Sequence, residues 1–186
     1  MNLVDRVKNI LLAPKQEWPK IDAENATPQS IFTGYVMIVA AIGPIVHVVV
    51  SLGGGIGAAI TQYAISLAAT FVIAFIADAL APSFGGTRNF PKSLALVAYS
   101  WTAAWLAGVV SFLPVVGGLI GLAALIYSFY TFYLGAPVLG RASTDKAAGY
   151  TIVIALCGIV LFAILGGLLM SMLFGTSMMG LGTMRV

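Results

Sequence analysis

Five long apolar runs, separated by short polar connections, constrain this chain more than any other feature. They fall near residues 31–52, 56–81, 93–113, 115–139 and 148–174. A run of about 20 apolar residues, rising about 1.5 Å per residue as a helix, crosses a hydrocarbon core about 30 Å thick. Lipid offers the backbone no hydrogen-bond partners, so each run must satisfy its own N–H and C=O groups by becoming a helix. The expected fold class is therefore all-α: a polytopic membrane bundle of five transmembrane helices. Composition points the same way, because 60% of the 186 residues are hydrophobic and only 8% are charged, where soluble domains carry about a quarter charged. Mean hydropathy is +1.03, more apolar surface than a water-soluble domain of this length could hide.

Basic residues orient such a bundle, since Lys and Arg near span ends are retained on the cytoplasmic side. Arg6, Lys8, Lys15 and Lys20 precede the first run, Arg88 and Lys92 lie between the second and third, and Arg141, Asp145 and Lys146 lie between the fourth and fifth. The turns at 53–55 and around Pro114 carry no charge. Every second connection is basic, which predicts a cytoplasmic N-terminus and a tail on the opposite side. In a bacterium that is a multi-pass inner-membrane protein with a periplasmic or extracellular C-terminus. The net charge of +3 follows from this bias and requires no nucleic acid. Anionic lipid headgroups are its natural counter-charge.

Three regions follow: a cytoplasmic amphipathic or interfacial segment over 1–30, a five-helix membrane domain over 31–174, and a flexible Met- and Gly-rich tail over 175–186. No small-residue cleavage site follows a short apolar core near the start, so a cleaved signal peptide is not expected. Within the first region Leu3, Val4, Val7, Ile10 and Leu11 recur at helical spacing, with Asp5, Arg6, Lys8 and Asn9 set opposite. That is the pattern of a short helix lying in the membrane surface plane. Pro14 is expected to end it and Pro19 to prevent a further regular helix. Trp18 suits the headgroup layer.

Three stretches, "RVKNILLAPKQEWPKI", "GGTRNFPKSLALVAYSWTAAWLAGVVSFLPVVGG" and "YSFYTFYLGAPVLGRASTDKAAGYTIV", resemble the bacterial branch of the Yip (Ypt/Rab-interacting protein) family. The resemblance covers nearly the whole chain apart from the Met-rich tail. It implies an integral membrane protein with five spans and a cytoplasmic N-terminus. Eukaryotic relatives bind Rab-type GTPases and act in vesicle traffic. Similar sequences usually carry a proline within "YSWTAAW", where this chain has Ala103.

Candidate functional residues stand on their own chemistry. Asp78 is the one acidic residue inside an expected span, and an intramembrane carboxylate needs hydration, a partner or a proton. Its place four residues before Pro82 puts it near the cytoplasmic surface, within reach of Arg88, Lys92 or Arg141. Tyr99, Tyr127, Tyr130 and Tyr133 are expected in the same half of the bundle, either packing or lining a polar path with Asp78. Arg88, Lys92, Arg141, Asp145, Lys146 and Trp18 are the expected loop contacts to lipid or a protein partner. His47 and Cys157 each stand alone, so neither metal binding nor an internal disulfide is expected. Met170, Met172, Met178, Met179 and Met184 would suit Cu(I) only if they converged. Gly53 with Gly57 and Gly117 with Gly121 have small-xxx-small spacing. No phosphate-binding loop, paired carboxylates or nucleophile beside a base occurs in the sequence, so neither an enzyme nor a cofactor is expected. The expected role is non-enzymatic: organising lipid or protein partners at the cytoplasmic face, in a chain that could form homo-oligomers. The alternative is a small transporter or channel with Asp78 in its path.

Overall fold

The computed structural model describes residues 2–52 and 55–182, with side chains described as far as residue 167. Every regular element among them is helical. Two short helices, α1 (Leu3–Leu12) and α2 (Pro14–Ala23), precede five long ones. These are α3 (Pro28–Val50), α4 (Ile56–Phe84), α5 (Phe90–Val110), α6 (Pro114–Leu139) and α7 (Ala147–Gly182), each long and apolar enough to cross a membrane. The five runs expected from the sequence are all present. Their starts shift because capping residues extend them: Thr27 accepts from Ser30 N–H ahead of Pro28, and Asn89 accepts from Lys92 N–H ahead of Pro91.

Pro14 does stop α1, since the residue before a proline is pushed out of helical geometry and Ala13 takes φ −144°. The expectation that Pro19 prevents a further helix is corrected: α2 runs through it. Pro14 supplies the preset first-turn φ, and Pro19 itself is exposed, so the Lys15 carbonyl it cannot bond is left on the outer face. In α3, one π-helical turn covers Phe32–Val36, and the α-helix breaks at Ala41 just before Pro44. The missing proline N–H accounts for that break.

α5 is the central helix. Half of its apolar window is buried within the protein, against 22% to 33% for the other spans. Polar side chains tie its neighbours together: Tyr35 on α3 meets Thr102 on α5 at 2.7 Å, Trp105 on α5 donates to Ser66 on α4 at 3.0 Å, and Tyr150 on α7 donates to the Ala77 carbonyl on α4 at 2.7 Å. Without water to compete, such bonds join helices that the hydrophobic effect alone cannot drive together. Among the expected glycine pairs, Gly117 makes a close contact, since a Cβ there would come within 2.3 Å of the Val110 carbonyl oxygen at the end of α5. A Cβ on Gly57 or Gly121 would meet open space, and Gly53 lies outside the described residues. Backbones of α3 and α5 also approach at Gly108, where a Cβ would lie 2.8 Å from Gly43 Cα.

Candidate functional site: the N-terminal helix pair and the basic end of the bundle

Trp18 lies at 0% exposure, not among headgroups, which corrects its expected role as a lipid or loop contact. Its indole N–H donates to the Thr131 carbonyl on α6 at 3.2 Å. Its ring fills the space over Gly135, where a Cβ would come within 2.6 Å of both the Trp18 ring and Leu96. Only glycine leaves room for that ring between α5 and α6. The indole is better placed there than at the surface, because its body gains full burial and its single donor keeps a partner. Next along the groove, Tyr127 donates to the Leu11 carbonyl at 2.6 Å. At about 1.5 Å per residue, Thr131 and Tyr127 stand about 12 and 18 Å along α6 from Leu139. The helix pair therefore descends along the bundle.

Arg6 is the centre of what holds the pair in place. Only 5% of it is exposed, although the sequence pattern set it on the solvent side of α1. One guanidinium nitrogen lies 2.7 Å from the carboxylate of Glu17, itself 1% exposed, and another pairs with Glu24. The guanidinium carbon sits 5.4 Å from the centroid of the Tyr99 ring, a cation–π contact that gains strength when dry. Lys20 adds a second, more exposed charge to Glu17 at 3.2 Å. Lys92, at the start of α5, holds the Asp22 carboxylate at 3.0 Å and also the Asp22 carbonyl. A planar fork with five donors can serve two carboxylates and a ring face at once, which a lysine could not. Beside this cluster lies a cavity of about 210 Å³ lined by Asn2, Arg6, Glu24, Ser30, Tyr35 and Tyr99.

Asp78 finds partners other than the expected bases and tyrosines. Its carboxylate accepts the Asn89 backbone N–H at 2.7 Å and the Ser93 hydroxyl at 3.3 Å. The donors come from the first turn of α5, where backbone N–H groups have no intrahelical acceptor and the helix dipole favours negative charge. Asp78 thus ties the end of α4 to the start of α5 across the turn at Gly85, whose φ of 81° suits glycine. The tyrosines do not gather around it. Tyr99 lies under Arg6, Tyr127 faces Leu11, and Tyr130 and Tyr133 are 45% and 38% exposed on the outer face of α6. Tyr150, which the sequence reading did not single out, is the tyrosine whose hydroxyl reaches α4 one residue away from Asp78.

Arg88, Arg141, Asp145 and Lys146 are exposed, and the four ion pairs among the described residues use none of them. Arg141 takes the left-handed φ of 50° just beyond α6, a position more often held by glycine. Arg88 in the connection from α4 to α5, and Arg141, Asp145 and Lys146 in that from α6 to α7, share one end of the bundle, while the turn at the other end between α5 and α6, residues 111–113, carries no charge. The side chains of Met170, Met172, Met178, Met179 and Met184, and the tail beyond 182, lie outside the described residues.

Two signals for Arg6, Glu17 and Glu24 were present in the sequence. Arg6 stands three residues after Leu3 and four before Ile10, on the flank of the buried face. The second signal is balance: in residues 1–30 four acids, Asp5, Glu17, Asp22 and Glu24, match four bases, Arg6, Lys8, Lys15 and Lys20. Residues 8–181 match the Yip1 domain, a stretch that runs from within α1 through nearly all of α7 and includes every side chain of the site except Arg6 and Asn2. Neither a curated protein nor a solved structure matches the chain. A single family match over almost the entire length, on a bundle with five apolar helices, decides its membership: the chain belongs to the Yip1 domain family of membrane proteins.

Proposed function

We propose that this protein is a non-enzymatic organiser of a bacterial-type inner membrane, with its basic end in the cytoplasm, where it gathers anionic lipid or a protein partner. One observation carries this reading. Arg88, Arg141 and Lys146 are exposed at the same end of the bundle and form no ion pair among the described residues, whereas Lys92 and Arg6 are consumed in holding the fold. Unpaired cations beside an anionic leaflet recruit headgroups or acidic protein surfaces. On this reading residues 1–30 are part of the working face, and the tail beyond 174 lies across the membrane.

Asp78 supports an organising role over transport. Its carboxylate is engaged by Asn89 and Ser93 at the edge of the bundle, and the cavities of about 360, 210 and 90 Å³ are lined by other residues. The test is reconstitution of the full chain in proteoliposomes, alongside recovery of its partners in native nanodiscs. Proton and cation flux is expected to equal that of empty vesicles for both the native chain and Asp78→Asn. The triple variant Arg88→Gln, Arg141→Gln, Lys146→Gln is expected to lose co-purifying lipid or protein. A flux abolished by Asp78→Asn would overturn the proposal.

A further inference from the structure

The outer wall of the N-terminal helix pair forms a second groove that the lock around Arg6 does not use. Its volume is about 380 Å³, and Leu12, Lys15 and Gln16 from the α1–α2 junction face Tyr127 and Tyr130 of α6 across it. Polar and apolar surface are mixed in this lining. Tyr127 shapes one wall by donating its hydroxyl to the Leu11 carbonyl, and its ring lies 5.8 Å from that of Tyr130, tilted by 49°. Among the described residues, Lys15 forms no ion pair and the Tyr130 hydroxyl and Gln16 amide form no hydrogen bond. Below the groove the outer face of α6 is apolar and exposed at Ile126, Leu122 and Leu119, one contiguous stripe at helical spacing. Above the groove it ends in exposed Tyr133.

Depth determines what this groove can hold. Helix α6 has 26 residues and is about 39 Å long, some 9 Å more than the hydrocarbon core. Tyr130 stands about 13 Å from Leu139. Even if all the excess projected from the basic end, Tyr130 would lie a few Å below the hydrocarbon boundary. A lysine opening there needs a negative charge drawn down to it, and none among the described residues pairs with it.

We propose that this groove is a binding site for an anionic phospholipid. The Lys15 ammonium holds the phosphate, the Tyr130 hydroxyl and the Gln16 amide donate to its remaining oxygens, and one acyl chain runs down α6 over Ile126, Leu122 and Leu119. The site rests on the reading that the basic end meets an anionic leaflet, and it names where one lipid is held there. Phosphatidylcholine, which is zwitterionic, satisfies the same hydrogen bonds but brings a quaternary ammonium beside Lys15, so it is disfavoured.

The test is native mass spectrometry of the full chain released from detergent and titrated separately with phosphatidylglycerol and phosphatidylcholine. The native chain is expected to retain its first phosphatidylglycerol in preference to phosphatidylcholine. Lys15→Gln should reduce that preference about fivefold, the effect of one basic side chain at an anionic surface. Tyr130→Phe should instead weaken retention of the first phosphatidylglycerol itself, with helicity by circular dichroism unchanged, and it carries the test alone if Lys15→Gln fails to fold. The double variant Arg141→Gln, Lys146→Gln should leave the first lipid in place. Equal retention of the two lipids by the native chain, or undiminished preference in Lys15→Gln together with undiminished phosphatidylglycerol retention in Tyr130→Phe, overturns the groove. If the preference instead disappears only in Arg141→Gln, Lys146→Gln, the groove fails while the broader reading of the basic end stands.

Discussion

Removing one partner of the Arg6–Glu17 pair is expected to damage the protein more than removing both. Arg6→Leu leaves the Glu17 carboxylate, 1% exposed, with Lys20 alone, at 3.2 Å and with a side chain 57% exposed. Breaking a buried pair from one side typically costs about 3–5 kcal/mol. Lys20 can relax toward Glu17, and Glu24, with a side chain 42% exposed, can be hydrated, which places Arg6→Leu near 3 kcal/mol on that scale. Glu17→Leu strands the guanidinium less completely, because Glu24 and the Tyr99 ring remain, so about 2 kcal/mol is expected. The double variant Arg6→Leu, Glu17→Leu buries two apolar side chains, the first shorter than the arginine it replaces, and carries no stranded buried charge. It should lie within about 1–2 kcal/mol of the native chain, which makes the coupling between the sites about 3 kcal/mol. The assay is reversible unfolding of the full chain in mixed micelles titrated with SDS, followed by circular dichroism. Additive single-site losses, with a coupling below about 0.5 kcal/mol, would refute the claim that this pair is a desolvated unit.

Gly135→Ala should drive Trp18 from its seat, since the new methyl would lie 2.6 Å from the ring; a loss of about 1–3 kcal/mol and a red shift of tryptophan emission in a Trp101→Phe, Trp105→Phe background check it. Asp78→Asn keeps an acceptor for Asn89 N–H and should change thermal stability little, whereas Asp78→Leu orphans two donors and should lose about 1–3 kcal/mol by the same micelle titration. A cytoplasm-active reporter inserted within residues 140–147 should be active and one fused after Val186 silent, as basic loops on one side require; the reverse pattern contradicts the orientation.

The spans were legible because burial in lipid leaves a one-dimensional mark: the runs ending at Val50, Leu139 and Gly167 are apolar whichever neighbours they meet. The site was not, because amphipathicity says that a face is buried without saying in what. Leu3, Val7, Ile10 and Leu11 could enter a headgroup layer or pack on α5 and α6, and the decisive partners of α2, Thr131 and Gly135, lie more than 110 residues away. Arg6 was misread for the same reason. Its two carboxylates are 11 and 18 residues distant, beyond the i,i+4 reach within which a single sequence displays a pair. Asp78 was placed at the correct end of its span, yet its partners proved to be a backbone N–H and a serine. A charge count cannot reveal a backbone donor.

The contacts of α1 and α2 set an order on biosynthesis. Trp18 and Leu11 leave the ribosome first, while Thr131 and Tyr127, to which they bond, are polymerised 113 and 116 residues later. At about 5–20 residues per second, roughly 6 to 23 s separate the two ends of each bond. Throughout that interval the earliest-made helices have no groove to enter and must wait at the membrane surface, Arg6 included, until the fourth span is inserted. A nascent chain arrested before residue 127 would therefore keep its N-terminus accessible to proteases, and one arrested after α7 would protect it.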